Sequence, residues 1–212
     1  MTAPLITAEH IRASLAGTRP PDDPAAVVAG SSGRDWPAAL VERFGNRLQP
    51  SAVLIPVIER RRELSVLLTE RAAQLTHHPG QISFPGGRME AGDADLSMTA
   101  LRETEEEVGI RPDQVDIAGY LACMPTVTGY AVTPIVGLVS PDISLRLDPL
   151  EVAQAFEVPL DFLMQPHNQQ HSVRRFEGIE MPLVEFRYGP RRIWGATAAM
   201  IVSLQTMLLK NN

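Results

Sequence analysis

Three glutamates near the middle of the chain are the residues whose types and spacing point most directly to chemistry. Glu103, Glu106 and Glu107 are three and four positions apart, so in a helix they fall on one face. Like charges at these spacings repel each other by roughly 0.2–0.5 kcal/mol per pair. A cation between them would remove that cost, and carboxylate oxygens suit the hard divalent ions Mg²⁺ and Mn²⁺. The plainer alternative is a solvated acidic face with no ligand.

The helix that carries these glutamates is predicted from about Asp95 to Val108. Gly109 can end it in the left-handed conformation, and Pro112 prevents it from resuming. Its C-terminal end repels acids, because the helix dipole is negative there. The acids are therefore placed against the backbone field, which favours a compensating cation. The opposite side is expected to be an apolar stripe made of Ala94, Leu101 and Val108 with the small Ser97 and Thr104.

The stretch from Arg102 to Ile110 resembles the second half of the Nudix box, the sequence motif of the Nudix hydrolases. Gly87 matches the glycine that opens the box, and Asp93 stands where the first glutamate belongs. Two departures are visible: eight residues instead of seven separate Asp93 from Arg102, and Thr104 replaces an apolar residue. The arginine-glutamate half of the motif, which supplies the main metal ligands in the family, is intact.

Two further stretches resemble the coenzyme A pyrophosphatase branch of this family. Upstream of the box lie Leu67–Ala72 and His77–Gly87, and near the C-terminal end lies Trp194–Ala198. The resemblance implies a metal-dependent cleavage of the diphosphate of coenzyme A or its derivatives into 3′,5′-ADP and 4′-phosphopantetheine or its acyl form. Two alternatives remain open. One is a Nudix hydrolase of another nucleoside diphosphate derivative, such as ADP-ribose or a dinucleotide, and the other is a Nudix-fold binding module with weakened catalysis.

The resemblance assigns roles to the charged residues of the helix. Glu103 and Glu107 are expected to be the primary ligands of Mg²⁺ or Mn²⁺. Glu106 is expected to be a third ligand or the base that activates water, so Glu106 and Glu107 are also catalytic candidates. Arg102 is a third catalytic candidate, although in the family this arginine mainly braces a glutamate through an ion pair.

The substrate-binding candidates lie on both sides of the box. Gly86 and Gly87 let the backbone approach a ligand closely, with an ordinary turn as the alternative. Arg71 could bind phosphate with two hydrogen bonds or form a surface ion pair. His78, like its neighbour His77, could act as an acid, a base or a ligand, or be solvated. Tyr130 could stack on adenine.

Several residues further along the chain have both a functional and a structural interpretation. Packing is the safer interpretation for Trp194, and Cys123 is expected in the core. Five arginines make the C-terminal third basic and could receive the phosphates of coenzyme A or only solvate a hairpin: Arg174, Arg175, Arg187, Arg191 and Arg192.

Composition limits the class of protein and its partners. The 212 residues fit one domain, and the net charge of −6 argues against a nucleic-acid partner. A single cysteine excludes an intrachain disulfide. With no apolar run of membrane-spanning length and no secretory signal in residues 1–18, we expect a cytoplasmic protein with a small-molecule substrate and no membrane contact. A homodimer is an expectation that the sequence leaves open.

The order of predicted elements gives the fold class. We expect an α/β Nudix fold, a mixed sheet sandwiched between helices, over residues 49–212, with a helical N-terminal lead-in over residues 1–48. The lead-in is predicted to hold helices at Ile6–Leu15 and Trp36–Leu48. The predicted strands are Ser51–Ile58, with Pro56 indicating an edge or a bulge, Leu64–Thr69, Gln81–Phe84, Val115–Cys123, Ala131–Val139 and Val152–Val158. A short helix at Leu160–Leu163, a hairpin of Ser172–Phe176 with Leu183–Tyr188, and a closing helix at Gly195–Leu209 follow.

Overall fold

A computed structural model describes residues 6–30, 48–60, 63–76, 78–176 and 179–209. Two helices precede the first strand, α1 (Ala8–Leu15) and α2 (Pro24–Gly30). Helix α1 agrees with the prediction, and its side chains Ile11 and Leu15 are buried in the main hydrophobic core. The second predicted helix, from Trp36, falls almost wholly outside the described residues.

A large mixed sheet forms the centre of the fold. Its strands are β1 (Gln49–Arg60), β2 (Glu63–Arg71), β3 (Ile82–Ser83), β4 (Gly86–Arg88), β5 (Val115–Tyr120), β6 (Met124–Pro125), β7 (Tyr130–Val139) and β8 (Val152–Pro159). They lie in the order β3-β2-β1-β7-β5, and β4 pairs with β1, β6 with β7 and β8 with β2. Strands β1 and β7 are parallel, and the other pairs are antiparallel.

Helices cover both faces of this sheet. Helix α3 (Leu96–Val108) packs on one face, where Val108 meets Leu67 of β2. Helices α4 (Leu160–Met164) and α5 (Ala196–Leu209) pack on the other face, where Leu68 of β2 is buried. Neighbouring residues of a strand point to opposite faces, so Leu67 packs in the layer with α3 and Leu68 packs in the layer with α4 and α5. The predicted sandwich of a mixed sheet between helices is confirmed.

A second, antiparallel sheet of three strands lies near the C-terminal end. It contains β9 (Gln169–Phe176), β10 (Ile179–Tyr188) and β11 (Arg191–Trp194), in the order β11-β10-β9. The predicted hairpin is therefore present as β9 and β10, and β11 was not predicted. Helix α5 follows directly from β11. No helix in the described parts of the chain is both long enough and apolar enough to cross a membrane.

Pro56 lies in a central strand, so the predicted edge position is wrong. On one side of β1 it pairs with Gly137 of β7. On the other side β4 pairs with Ser51–Val53 and β2 pairs from Val57 onward, so Pro56 falls between these two ladders. A proline has no N–H to donate. Because no strand pairs with β1 at this point on this side, the missing donor breaks no hydrogen bond between strands. Strand β1 also continues to Arg60, beyond the predicted strand end at Ile58.

Candidate active site

The N-terminal half of α3 is fixed by two aspartates with different tasks. Asp95 is the N-cap, and its carboxylate accepts the N–H of Met98 at 2.9 Å. Asp93 accepts two hydrogen bonds from Arg102, from Nε at 2.9 Å and Nη2 at 3.0 Å. It also accepts the hydroxyl of Thr99. The Arg102 guanidinium holds the pKa of Asp93 well below its ordinary value, and this charged pair locks the loop before α3 onto the helix.

Arg102 is the brace that the sequence resemblance implied. Besides Asp93, its Nη1 donates to Glu103 at 2.9 Å and to Glu106 at 3.1 Å. Its side chain therefore aims along the helix toward the glutamates. Glu106 is 59% exposed and points to solvent, so it can reach a ligand without displacing protein. Its role as third ligand or base stays a prediction.

Glu107 is buried, and the expected single exposed acidic face is therefore wrong. Its exposed fraction is 4%, and it lies on the packed side of α3 with Ala100, Thr104 and Val108, whereas Ala94 is exposed. Burial raises the pKa of the Glu107 carboxyl to about 8, and the negative charge of Glu151 raises it further. The N–H of Gly86 donates to this carboxylate and, with the nearby charge of Arg71, acts in the opposite direction. Glu107 is thus a buried acid whose charge is only partly compensated.

Gly87 makes room for the carboxylate of Glu103. A Cβ atom at this position would lie 2.5 Å from Cδ and Oε1 of Glu103, closer than any real contact. Glu103 is largely buried, and burial is the main cause that raises the pKa of its carboxyl. The neighbouring Gly86 has φ of 150°, and a Cβ there would meet the backbone of Ala52 and Val53. The two glycines therefore bring strand β4 close to Glu103 and Glu107, while their predicted approach to a ligand stays a prediction.

Arg71 reaches this site from the end of β2. Its charge lowers the pKa of Glu107, yet its buried Nε has no hydrogen-bond partner. Its backbone N–H donates to Gln81 and its carbonyl accepts from Gly80, both at 3.0 Å. The loop before β3 is thereby tied to Arg71. The guanidinium therefore lies near Glu107 and has a donor that makes no hydrogen bond.

Glu151 is a carboxylate of this site that sequence reasoning missed. Its charge raises the pKa of both Glu103 and Glu107, so it lies near both. The loop that carries it is anchored to the C-terminal end of α3, because Asp148 donates to the carbonyl of Glu107 at 3.0 Å. The Glu151 carbonyl in turn accepts the N–H of Ala72 at 2.8 Å. No sequence motif marks this acid, and only the folding of a distant loop onto α3 brings it to the site.

The remaining candidates are placed less centrally. His78 adopts a φ of 57° in the turn before β3, close in the chain to Arg71, and His77 lies outside the described residues. Tyr130 begins β7 and packs against the main core. No described contact links His78 or Tyr130 to the carboxylates, and their roles stay predictions. Cys123 is half-buried beside Val28, Leu48 and Ala131, which agrees with a packing role.

Glu103 and Glu107 fit a divalent cation better than a solvated surface. Both carboxyls are removed from water beside the further negative charge of Glu151, and a buried charge without a full partner is costly. Among the described residues, however, no three acidic, histidine or cysteine side chains are close enough to form a complete ligand cage. Mg²⁺ commonly takes only one or two carboxylates and completes its shell with water and substrate phosphates. These two glutamates match that pattern.

A cavity of ≈ 430 Å³ lies elsewhere, lined by Arg12, Glu59, Leu64 and Asp116 among others. Glu59 is seven residues along β1 from Ala52, the partner of Gly87, which is roughly 23 Å at about 3.3 Å per residue. This cavity is therefore remote from the carboxylates. The candidate active site lies instead between α3, β4 and the Glu151 loop.

Comparison with known proteins decides the family. A model of the NUDIX domain matches residues 48–178. A protein of Enterobacter sp. (strain 638), described as the uncharacterized Nudix hydrolase NudL, is 40% identical over 159 residues, which are 75% of this chain and 82% of the relative. The chain belongs to the Nudix family. It is a Nudix hydrolase, an enzyme that cleaves phosphoanhydride bonds, as the sequence predicted.

A second relative agrees with this assignment. The uncharacterized NudL of Photorhabdus laumondii is 40% identical over 162 residues, which are 76% of this Nudix hydrolase and 86% of the relative. A solved structure of a Caenorhabditis elegans Ap4A hydrolase binary complex has a TM-score of 0.46 and 20% identity, covering 52% of this chain and 80% of that chain. That similarity is too weak to carry an inference about substrate. The NudL descriptions name no substrate either.

Proposed function

We propose that this Nudix hydrolase cleaves the diphosphate of coenzyme A and its derivatives, giving 3′,5′-ADP and 4′-phosphopantetheine or its acyl form. The observation that carries the proposal is a contact between the two stretches that resemble the coenzyme A branch. The hydroxyl of Thr197 donates to the carbonyl of Ile82 at 3.0 Å, and both are buried. The C-terminal stretch is thereby held against the stretch that leads to Gly86 and Gly87.

The chain's own groups divide the work of diphosphate hydrolysis among them. Glu103 and Glu107 are the residues that would hold Mg²⁺ or Mn²⁺. When bound, the ion would neutralise phosphate oxygens and lower the pKa of a water molecule. Arg71 supplies donors to a diphosphate oxygen, because its guanidinium has a buried N–H without a partner. Arg102 keeps Glu103 and Glu106 in orientation through its hydrogen bonds to both.

The reaction consumes one water molecule. Its oxygen bonds to one phosphorus of the diphosphate, and the bond between that phosphorus and the bridging oxygen breaks. The bridging oxygen leaves with the other phosphate. Glu106 is exposed beside Glu103, so it can accept the proton of the attacking water or add a ligand oxygen, and these two roles remain the alternatives for this residue.

A panel of substrates tests the proposal. Purified protein with Mg²⁺ or Mn²⁺ would be incubated with coenzyme A, ADP-ribose and a dinucleoside polyphosphate, and the products would be separated by chromatography. We expect 3′,5′-ADP from coenzyme A at a kcat/KM at least tenfold above that for the other substrates. Equal or faster turnover of ADP-ribose would contradict the proposal and favour another nucleoside diphosphate derivative.

A further inference from the structure

The outer face of the second sheet gathers three arginines around one tryptophan. In the strand registers, Glu185 lies opposite Trp194 and Arg187 lies opposite Arg192. Arg174 of β9 lies opposite Met181 of β10. Alternate residues of a strand share a face, so these side chains project from the same side of the sheet. We call Arg174, Arg187, Arg192 and Trp194 the arginine face.

The other two C-terminal arginines do not belong to this surface. Arg191 lies on the inner face, with its guanidinium 4.1 Å from the ring centre of Phe156. Arg175 follows Arg174 directly and therefore points to the opposite side of β9, where it pairs with Glu180 at 3.0 Å. The basic patch expected from sequence is thus divided by the sheet into separate groups.

The arginine face carries more positive charge than its own carboxylate can balance. Glu185 is 6% exposed and accepts from Nε of Arg192 at 2.7 Å and from Nε of Arg187 at 3.1 Å. The Arg192 guanidinium, with that of Arg187, holds the pKa of Glu185 below its ordinary value. Among the described residues, this carboxylate is the only one paired with the face, so three guanidiniums meet one negative charge.

Trp194 holds two of these guanidiniums in place. Arg174 lies over its ring at 4.9 Å from the ring centre, and Arg192 lies over it at 5.2 Å. Guanidiniums stacked on an aromatic ring keep their in-plane N–H donors free for a ligand. The buried Glu185 accepts from Nε and Nη2 of Arg192 and so fixes this guanidinium, which leaves the Nη1 donors of Arg192 and the donors of Arg174 for a ligand.

The second sheet contacts the part of the main sheet that leads to Arg71. Strand β11 runs beside β3, and β3 pairs with β2, which carries Arg71. Strand β11 is thus linked through β3 to the strand that ends at Arg71. The inner face of the second sheet joins the core on the α5 side, through Phe186 and Ile193. The arginine face, on the opposite side of this sheet, therefore points away from that core.

We infer that the arginine face binds a phosphate monoester, and that in the proposed reaction this group is the 3′-phosphate of the adenosine half of coenzyme A. The identity of the phosphate rests on the proposed function. Two negative charges on a phosphate monoester match the excess of two positive charges, and planar guanidiniums bind phosphate oxygens through paired N–H donors. A substrate without the 3′-phosphate would leave that excess uncompensated.

A pair of neighbouring substitutions tests this inference by binding alone. Arg174→Gln removes one guanidinium of the face, and Arg175→Gln is the matched control, since Arg175 is 70% exposed on the opposite side of the same strand. Calorimetric titration would compare 3′,5′-ADP with 5′-AMP, which lacks the 3′-phosphate. We expect wild type and Arg175→Gln to bind 3′,5′-ADP at least tenfold more tightly, and Arg174→Gln to lose most of that preference.

Equal affinity of wild type for the two nucleotides, or an unchanged preference in Arg174→Gln, would overturn the inference and leave the arginines as packing around Trp194. Kinetics separates this failure from failure of the proposed function. If coenzyme A and 3′-dephospho-coenzyme A have the same kcat/KM in wild type and Arg174→Gln, the inference fails while the function stands. If coenzyme A is not cleaved but Arg174→Gln still loses the preference for 3′,5′-ADP, the function fails and the phosphate site stands.

Discussion

Two glutamates are buried to a similar degree in this protein, and their surroundings differ in sign. Glu107 of α3 is 4% exposed and Glu185 of β10 is 6% exposed. The pKa of Glu107 is raised to about 8, mainly by burial and by Glu151. The pKa of Glu185 is lowered, mainly by Arg192. The two carboxylates are therefore similarly buried, and the balance of nearby charges causes the opposite shifts in their pKa values.

The difference teaches how to interpret a buried charge. At Glu185 the protein supplies more cations than the carboxylate needs, so the carboxylate organises the arginine face and the surplus is positive. At Glu107 the protein supplies too few cations, so the surplus is negative. A surplus of one sign on rigid elements indicates a ligand of the other sign. The carboxylate site therefore suits a divalent cation, and the arginine face suits an anion.

The largest effect is expected from Glu107→Gln. The substitution keeps the shape and removes the charge of a proposed ligand, so kcat/KM should fall by about a thousandfold. Stability should not fall, because a poorly compensated buried charge is removed. A raised pKa means that the folded carboxyl holds its proton longer than the unfolded one. In metal-free buffer, wild type should therefore lose stability relative to Glu107→Gln as the pH rises from 4.5 to about 8.

Thermal unfolding at several pH values and steady-state kinetics with a coenzyme A substrate check both halves of this prediction. Unchanged turnover would remove Glu107 from the metal site. A lower unfolding midpoint for Glu107→Gln in metal-free buffer at pH 8 would show that the charge is well compensated, and the contrast with Glu185 would disappear.

A somewhat smaller loss is expected from Gly87→Ala. The added Cβ would lie 2.5 Å from the Glu103 carboxylate, so Glu103 must move while Glu107 keeps its place. We expect kcat/KM to fall by about a hundredfold, which corresponds to about 2.7 kcal/mol. Gly92→Ala is the matched control, because a Cβ at Gly92 meets no atom within 4 Å. Similar kinetics for the two variants would argue that Glu103 does not need its present position.

The counterpart on the other side of the comparison is Glu185→Gln, which should act on stability. Two arginines lose their shared carboxylate, and the unfolding free energy should fall by about 2 kcal/mol, given that both arginines are partly exposed. Because the pKa of Glu185 is lower in the folded protein than in the unfolded chain, its charge stabilises the fold above the ordinary glutamate pKa. That stabilisation is lost as the pH falls. The difference in unfolding free energy between wild type and Glu185→Gln should therefore become smaller below pH 4.5. Chemical denaturation at pH 7 and pH 3.5 measures this difference, and a constant difference would contradict this account.

The sequence predicted those parts of the site that depend on local signals. Both ends of α3 were predicted from the residue types. In the structure Asp95 is the N-cap, and Gly109 is the C-cap with φ of 76°. The role of Arg102 as a brace also followed from a local motif. Asp93 stands at the position of the motif's first glutamate. In the structure it accepts hydrogen bonds from Arg102 despite the extra residue between them.

The parts that could not be predicted depend on distant packing. Glu107 is buried because a loop some forty residues later hydrogen-bonds to the end of α3, through Arg146 and Asp148. Helical spacing alone placed Glu107 beside Glu106 and had no information about that loop. The same holds for Pro56, whose tolerance in a central strand depends on where the ladders of β2 and β4 end.

The smallest effect, and the sharpest test of the charge argument, is expected from Glu151→Gln. Glu151 is exposed and adds to the negative charge around Glu103 and Glu107 without hydrogen-bonding to either in the described structure. Removing one unit of this charge should weaken Mg²⁺ binding by roughly 1 kcal/mol, about fivefold in the Mg²⁺ concentration for half-maximal activity. Maximal turnover at saturating Mg²⁺ should change less. Glu63→Gln, at the far end of β2, is the control for removal of an exposed charge. If Glu151→Gln instead abolishes turnover at every Mg²⁺ concentration, Glu151 acts in the chemical step itself, and the negative surplus at Glu107 serves more than the attraction of a cation.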